Sequence, residues 1–190
     1  MALLLFPGSR RRHSHNGRLI DELASRLEGR CRIDVLRPAE VDLPLFDQDL
    51  EADPAVASSV AAIHARFAAA DGFIVASPEY NGQLTSYLKN TVDWVSRLPH
   101  IDQSYRNPFR GRPLLLCCAT TGWSGGILGL QHARALFSYL GCLVMPEQIC
   151  VPHAEQALAE LDPFFAEHIG QTLRRLEELT TREQEHAGRG

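Results

Sequence analysis

The sequence predicts one α/β domain in three layers, a five-stranded parallel sheet between two sets of helices. Two observations carry this reading. Short apolar runs alternate with longer segments whose apolar residues recur at helical spacing, the pattern of βαβ units. The inner runs are continuously apolar rather than alternating, as strands covered on both faces must be.

Residues 2–6 form the first strand, and the turn-rich stretch 7–16 follows at once. Leu19, Ile20, Leu23, Ala24 and Leu27 then recur at helical spacing, and Gly29 stops that helix. Residues 31–36 alternate apolar and polar side chains, as a strand near an edge does. Residues 37–54 hold Pro38, Pro44 and Pro54 among acidic residues and read as a long loop. Residues 55–70 are an Ala-rich helix, and residues 72–76 are a wholly apolar strand ending on Ser77-Pro78. A helix over 87–98, a loop over 99–108 and an apolar strand over 113–119 come next. A helix over 127–140, a strand over 141–151 interrupted by Pro146, and a helix over 162–178 complete the order. Residues 1–180 are expected to form a single domain, and 181–190 a polar, disordered tail.

Five such strands suit the flavodoxin-like order 2-1-3-4-5, in which ligands sit beyond the carboxyl ends of the strands at the switch point between strands 1 and 3. The loops after strands 1, 3 and 4 are then expected to meet.

Composition narrows the function. With 45% hydrophobic and 22% charged residues and a net charge of -4, the chain carries no nucleic-acid signature. No apolar run is long enough to span a bilayer, and the apolar start lacks the basic flank of a signal peptide, so it reads as a strand. The five cysteines, Cys31, Cys117, Cys118, Cys142 and Cys150, are odd in number and have no CxxC spacing. They argue against a disulfide framework or a zinc site and suggest buried thiols in a cytoplasmic protein.

Each of the three loops has a chemical character. The first, Gly8-Ser9-Arg10-Arg11-Arg12-His13-Ser14-His15-Asn16, joins a strand to a helix N-terminus and offers hydroxyl, amide and guanidinium donors to an anion. It is neither a Walker A loop nor a GxGxxG fingerprint; an exposed basic turn with Ser14 or Asn16 capping the helix is the plain alternative. His13 and His15 have no third ligand in view, and no metal is expected. The second, Ser77-Pro78-Glu79-Tyr80-Asn81-Gly82, sets a flat aromatic and a tight turn on the most apolar strand, with a plain type I turn as the alternative. The third, Thr120-Thr121-Gly122-Trp123-Ser124-Gly125-Gly126, combines hydroxyls, glycines and an indole.

At these residues the chain resembles the NADPH-dependent FMN reductases, a flavodoxin-like group that includes quinone, azo-dye and chromate reductases. The matching residues are Gly8-Ser9, Arg11, Ser14 and Asn16; Leu43-Pro44-Leu45-Phe46 with Asp49; and the Ser77–Gly82 block. The match continues in Leu88-Lys89-Asn90 with Asp93-Trp94, in Gly111-Arg112-Pro113, in Gly125-Gly126, and in Leu140-Gly141 with Pro146. It covers roughly residues 2–152, and departs from the family in the segment after Gly82, where Leu84 and Ser86 stand in place of a Pro and a Gly.

The resemblance implies that Ser9, Arg11, Ser14 and Asn16 hold the FMN phosphate. Pro78, Glu79, Tyr80, Asn81 and Gly82 would line the isoalloxazine ring and ribityl chain, and Thr120, Thr121, Gly122 and Trp123 would close the other side. NADPH or NADH would pass hydride to the flavin N5, and a quinone, azo compound, metal oxyanion or free flavin would take the electrons, with no catalytic side chain required. The alternatives are a flavodoxin-type electron carrier and a flavin-binding regulator. Relatives associate, so a homodimer or homotetramer is expected, with the apolar helix 87–94 and the loop 99–108 as the partner surface. The segment from Lys89, the only lysine, to Trp94 resembles the family's structural helix, which contributes to subunit contacts; a local ion pair of Lys89 with Asp93, one helical turn on, is the physical alternative.

Overall fold

A computed structural model describes residues 1–187. The strands are β1 (Ala2–Pro7), β2 (Arg32–Val35), β3 (Gly72–Ala76), β4 (Pro113–Ala119) and β5 (Leu143–Val151). The helices are α1 (His15–Leu27), α2 (Pro54–Ala68), α3 (Ser86–Ile101), α4 (Ile127–Tyr139), the single turn α5 (Ala154–Ala157) and α6 (Pro163–Ala187). The sheet is parallel throughout, in the order β2-β1-β3-β4-β5.

Alternation along each strand sorts the core into two layers. Leu4, Phe6, Phe73, Val75, Leu114 and Leu116 face α2, α3 and α4, where they meet Phe67, Val92 and Phe137. Leu3, Leu5, Ile74 and Leu115 face the other way, onto Leu19 and Leu23 of α1 and Leu173 and Leu176 of α6. Every residue of β1, β3 and β4 is buried, which is why these runs lack polar alternation; β2, at the sheet edge, begins exposed. The consequence for function is that three rigid strand ends carry the three unusual loops.

Several boundaries differ from those the sequence suggests. The segment 37–54 contains two short 3-10 turns, Pro38–Glu40 and Gln48–Ala52. Helix α3 runs through Pro99 to Ile101, where the Asp102 N–H closes it on Leu98 O. Pro99 forgoes one backbone hydrogen bond there without ending the helix. The closing helix continues to Ala187, past the expected start of a tail. Thr180 anchors it: fully buried, its hydroxyl donates to Leu176 O at 2.7 Å and lies against Gly72, where a Cβ would come within 3.0 Å. Residues 188–190 of the expected tail lie outside the described residues. Pro146 interrupts β5 as expected: Leu114 pairs with Val144 and Leu116 with Gln148, so Met145, Pro146 and Glu147 bulge opposite Leu115.

The helix expected as a partner surface turns its apolar face inward. Leu88, Val92, Trp94 and Val95 are buried, and the Trp94 indole N–H donates to Pro44 O at 2.9 Å with Phe46 edge-on at 4.8 Å. Outward α3 shows Ser86, Lys89 and His100, with Ile101 exposed at its end, and Lys89 pairs with Asp93 at 2.6 Å.

Candidate functional site

Three side chains tie the loops after β1, β3 and β4 together. Thr85, just ahead of α3, accepts from Leu88 N at 3.1 Å as its cap and donates to Gly8 O at 2.7 Å, joining the second loop to the first. Gly8 lies so close to Ser77 that a Cβ would stand 3.3 Å from it. Asn16 joins the first loop to the end of β4: its Nδ2 donates to Ala119 O at 2.8 Å, and its Oδ1 accepts from Ala119 N at 2.9 Å. Glu79 joins the second loop to the third, its Oε2 accepting from Gly129 N at 2.9 Å. The first residue before α4 is Gly126, which has no side chain to cap the helix, so Glu79 supplies the missing acceptor, where the helix dipole also favours a carboxylate.

These ties add structural roles to two residues expected at the ligand. Asn16 is buried, and its Oδ1 and one Nδ2 hydrogen are taken by Ala119. The Glu79 carboxylate is turned to α4 rather than left along a ring. Thr85 was missed, although a Thr directly before an apolar-periodic segment is an N-cap signal.

The rest of the first loop is left ready for an anion. Ser14 caps α1, its Oγ accepting from Asn16 N at 3.2 Å and Gly17 N at 3.3 Å, and Ser9 Oγ accepts from Arg11 N at 3.3 Å. The backbone N–H groups of Arg12, His13 and His15 have no acceptor among the described residues, nor has the buried His15 Nδ1 a partner there. Arg10, Arg11 and Arg12 are exposed and have no carboxylate partner among the described residues. Arg10 lies over the Tyr87 ring at 5.9 Å. Unpaired N–H groups at a helix N-terminus, flanked by guanidinium groups, fit a phosphate monoester.

In the second loop Tyr80 and Gln83 exchange both backbone hydrogen bonds at 3.0 Å, and Asn81 (φ 54°) and Gly82 (φ 73°) form the two-residue link. This is a type I′ hairpin, not the type I turn of the plain alternative. It stands Tyr80 up, 53% exposed. In the third loop the Thr120 N–H bonds Val151 O, its hydroxyl accepts from Gly122 N, and Thr121 and Gly122 are exposed. Gly126 has φ 78° and sits over Cys118, whose Sγ a Cβ would approach to 2.1 Å. Trp123 is 84% exposed, with Ile127 and Leu128 exposed close by in sequence. A polar, anion-ready loop thus sits beside exposed flat and apolar groups, the two halves of a mononucleotide's needs.

Burial pushes the Cys118 thiol up to about 12 and raises Cys150 beside it, so both are neutral thiols rather than nucleophiles. Among the described residues no group of His, Cys, Asp and Glu is placed to hold a metal, and no helix is long and apolar enough to cross a membrane.

A parallel sheet in this order, with its switch-point loops tied around a phosphate-ready helix start, defines a flavodoxin-like mononucleotide-binding protein. Residues 1–156 match the family of NADPH-dependent FMN reductases. The chain is 33% identical over 138 residues to a quinone reductase of Escherichia coli K12, covering 73% of this chain and 70% of that protein. It is 31% identical over 153 residues to a 2-hydroxy-1,4-benzoquinone reductase of a Burkholderia species, covering 80% and 78%. Its fold matches the flavoenzyme NAD(P)H:(acceptor) oxidoreductase FerB of Paracoccus denitrificans with a TM-score of 0.81 at 24% identity, over 96% of this chain and 98% of that one. The chain belongs to the NADPH-dependent FMN reductase family and is an NAD(P)H-dependent oxidoreductase that works with FMN.

Proposed function

We propose that this protein passes electrons from NADPH or NADH to a quinone, using FMN seated across the loops after β1, β3 and β4. The observation that carries this is the free donor set of the first loop beside the exposed Tyr80 and Trp123. Ser9, Arg11, Ser14 and the open N–H groups bind the phosphate. Pro78, Tyr80, Asn81 and Gly82 border the ring and ribityl chain on one side, and Thr120, Thr121, Gly122 and Trp123 on the other. Asn16 and Glu79 serve as braces that keep these loops in register. The flavin, when bound, supplies the hydride acceptance and electron donation that no side chain here can perform. The protein's own work is placement, and no acid–base residue is assigned.

The quinone is preferred over an azo compound, a metal oxyanion or a free flavin because the E. coli and Burkholderia relatives are quinone reductases. A flat acceptor also suits the open aromatic rim. A homodimer or homotetramer is part of the proposal, with Ile127, Leu128 and Tyr139 of α4 as its exposed apolar contacts. The five cysteines are free, which supports a cytoplasmic setting.

Arg11→Ala tests the assignment. Loss of a charge-assisted hydrogen bond of about 1.5–3 kcal/mol weakens FMN binding roughly tenfold to a hundredfold, with the fold retained. Titration of apoprotein with FMN at fixed salt checks this; parent-like binding by Arg11→Ala removes Arg11 from the site. Steady oxidation of NADPH with a quinone separates the reductase from an electron carrier, which lacks that turnover. A monomeric mass by light scattering removes the oligomer.

A further inference from the structure

At the end of the sheet opposite the three loops, a cavity of 560 Å³ opens between the last turns of α2 and the segment that joins α3 to β4. The 7 residues of β4 put about 20 Å between it and the third loop, at about 3.3 Å per residue. Arg106, Arg110 and Arg112 border the cavity, and no carboxylate does. The backbone that carries them is fixed on both sides. Buried His64 of α2 bonds Arg106 O through Nε2 at 2.9 Å, and its ring meets Tyr105 edge-on at 5.2 Å. Asn107 donates from Nδ2 to Leu140 O at 3.1 Å and accepts from Phe109 N at 2.9 Å.

Internal pairing does not explain the three arginines. Others in the chain, such as Arg66, Arg97 and Arg175, pair with carboxylates, whereas these three have no carboxylate partner among the described residues. Nor do they close the end of α2: the cation there is Arg32, which reaches Ala69 O at 3.4 Å. The α2 dipole sets about half a negative charge at that end, which three guanidinium groups exceed. Arg106 and Arg110 are exposed and support little core, and Arg112 is half-buried. The same combination, closely spaced guanidinium groups without carboxylates, occurs in the first loop, where the reading above places a phosphate.

We infer that this cavity binds a small molecule bearing two phosphate groups, at a site separate from that of the flavin. Each guanidinium presents a fork that takes two oxygens of a phosphate. Three forks match the oxygens of two phosphates better than the three free oxygens of one. The 560 Å³ also lies within the range of about 300–1,000 Å³ that holds a whole ligand rather than a single ion. Ala68 and Pro108 are the apolar members of a wall that is otherwise polar, so a charged body fits it and a hydrophobic one does not. None of these residues belongs to the three loops, and the inference does not depend on the flavin reading.

The test is calorimetric titration of the FMN-loaded protein, whose first loop is then filled, with inorganic pyrophosphate and with orthophosphate at fixed ionic strength. The parent, R106A, R110A and R112A are compared. The parent is expected to bind one pyrophosphate per chain, roughly tenfold or more tighter than orthophosphate, and each variant to lose roughly tenfold or more of that affinity. R182A removes the same charge from an exposed position on α6 and should bind like the parent. Arg106 and Arg110 are exposed, so their variants decide the matter even where R112A unfolds. A parent that binds no pyrophosphate, or binds orthophosphate equally well, overturns the inference. Parent-like binding by R106A and R110A overturns it too, as does an equal loss in R182A, which would show only an effect of net charge. A chain that takes up no FMN overturns the flavin reading instead; titration of that chain with pyrophosphate still tests the cavity through the loss in R106A and R110A.

Discussion

Replacing Asn16 by Ala separates bracing from binding. The side chain is 2% exposed, and its two bonds to Ala119 close on a residue that is itself 1% exposed. Truncation leaves one buried N–H and one buried C=O at the end of β4 without their partner. Each costs about 1–3 kcal/mol, and water entering at the strand end recovers part of this, so about 2–4 kcal/mol is the expected net loss. Helix α1 keeps its Ser14 cap, so the loss is confined to the tie between helix and sheet. For a chain of this size each kcal/mol lowers Tm by about 2–4 °C, giving a drop of roughly 4–16 °C. Thermal unfolding of the apoprotein by circular dichroism measures this, and FMN titration well below the transition measures the site. The bracing role predicts a clear fall in Tm with less than about a tenfold loss of FMN affinity, since no phosphate hydrogen bond is removed. An unchanged Tm with FMN binding abolished would refute the reasoning and return Asn16 to the phosphate.

Gly126→Ala should fail to fold into a flavin-competent state, because its Cβ would overlap Cys118 Sγ at 2.1 Å in a left-handed backbone; a soluble variant that binds FMN like the parent would contradict the packing described. Burial holds the His64 pKa below its ordinary 6.5. The unfolded chain then binds the proton more readily, so this contribution to stability is complete above about pH 6.5 and declines as pH falls toward the lower folded value. Urea midpoints measured at falling pH should show the decline, and His64→Gln should flatten it. Trp123 should be quenched when FMN binds and buried Trp94 much less, so Trp123→Phe should remove most of the quenchable emission.

The sheet order was legible because continuous apolar runs at 72–76 and 113–119 leave no face for water, and alternation at 31–36 marks an edge. The end of the last helix was not legible. Thr180 looks like a surface residue in sequence, yet its neighbour across the fold is Gly72, a contact over a hundred positions away that no local pattern carries. The burial of the apolar face of α3 was hidden for a related reason: Leu88, Val92 and Trp94 announce an apolar helix face, but not that the sheet's core takes Leu88 and Val92 while Phe46 and Pro44 of a distant loop take Trp94. In the site, residue types and loop membership were readable, whereas roles were not. Asn16 and Glu79 carry the right chemistry for a ligand, and only the positions of Ala119 and Gly129 reveal that part of this chemistry braces the protein itself.

The three ties around the site share one property: a side chain from one loop always ends on main-chain atoms of another element, namely Gly8 O, the amide of Ala119 and Gly129 N. Main-chain atoms are present whatever the side chain, so the frame makes no demand on the identity of the rim residues Tyr80, Trp123, Ile127 and Leu128. Those positions can drift toward a bulkier, smaller or more polar acceptor without loosening the phosphate grip. Selection on acceptor range and selection on the frame that holds the loops in register thus act on separate residues.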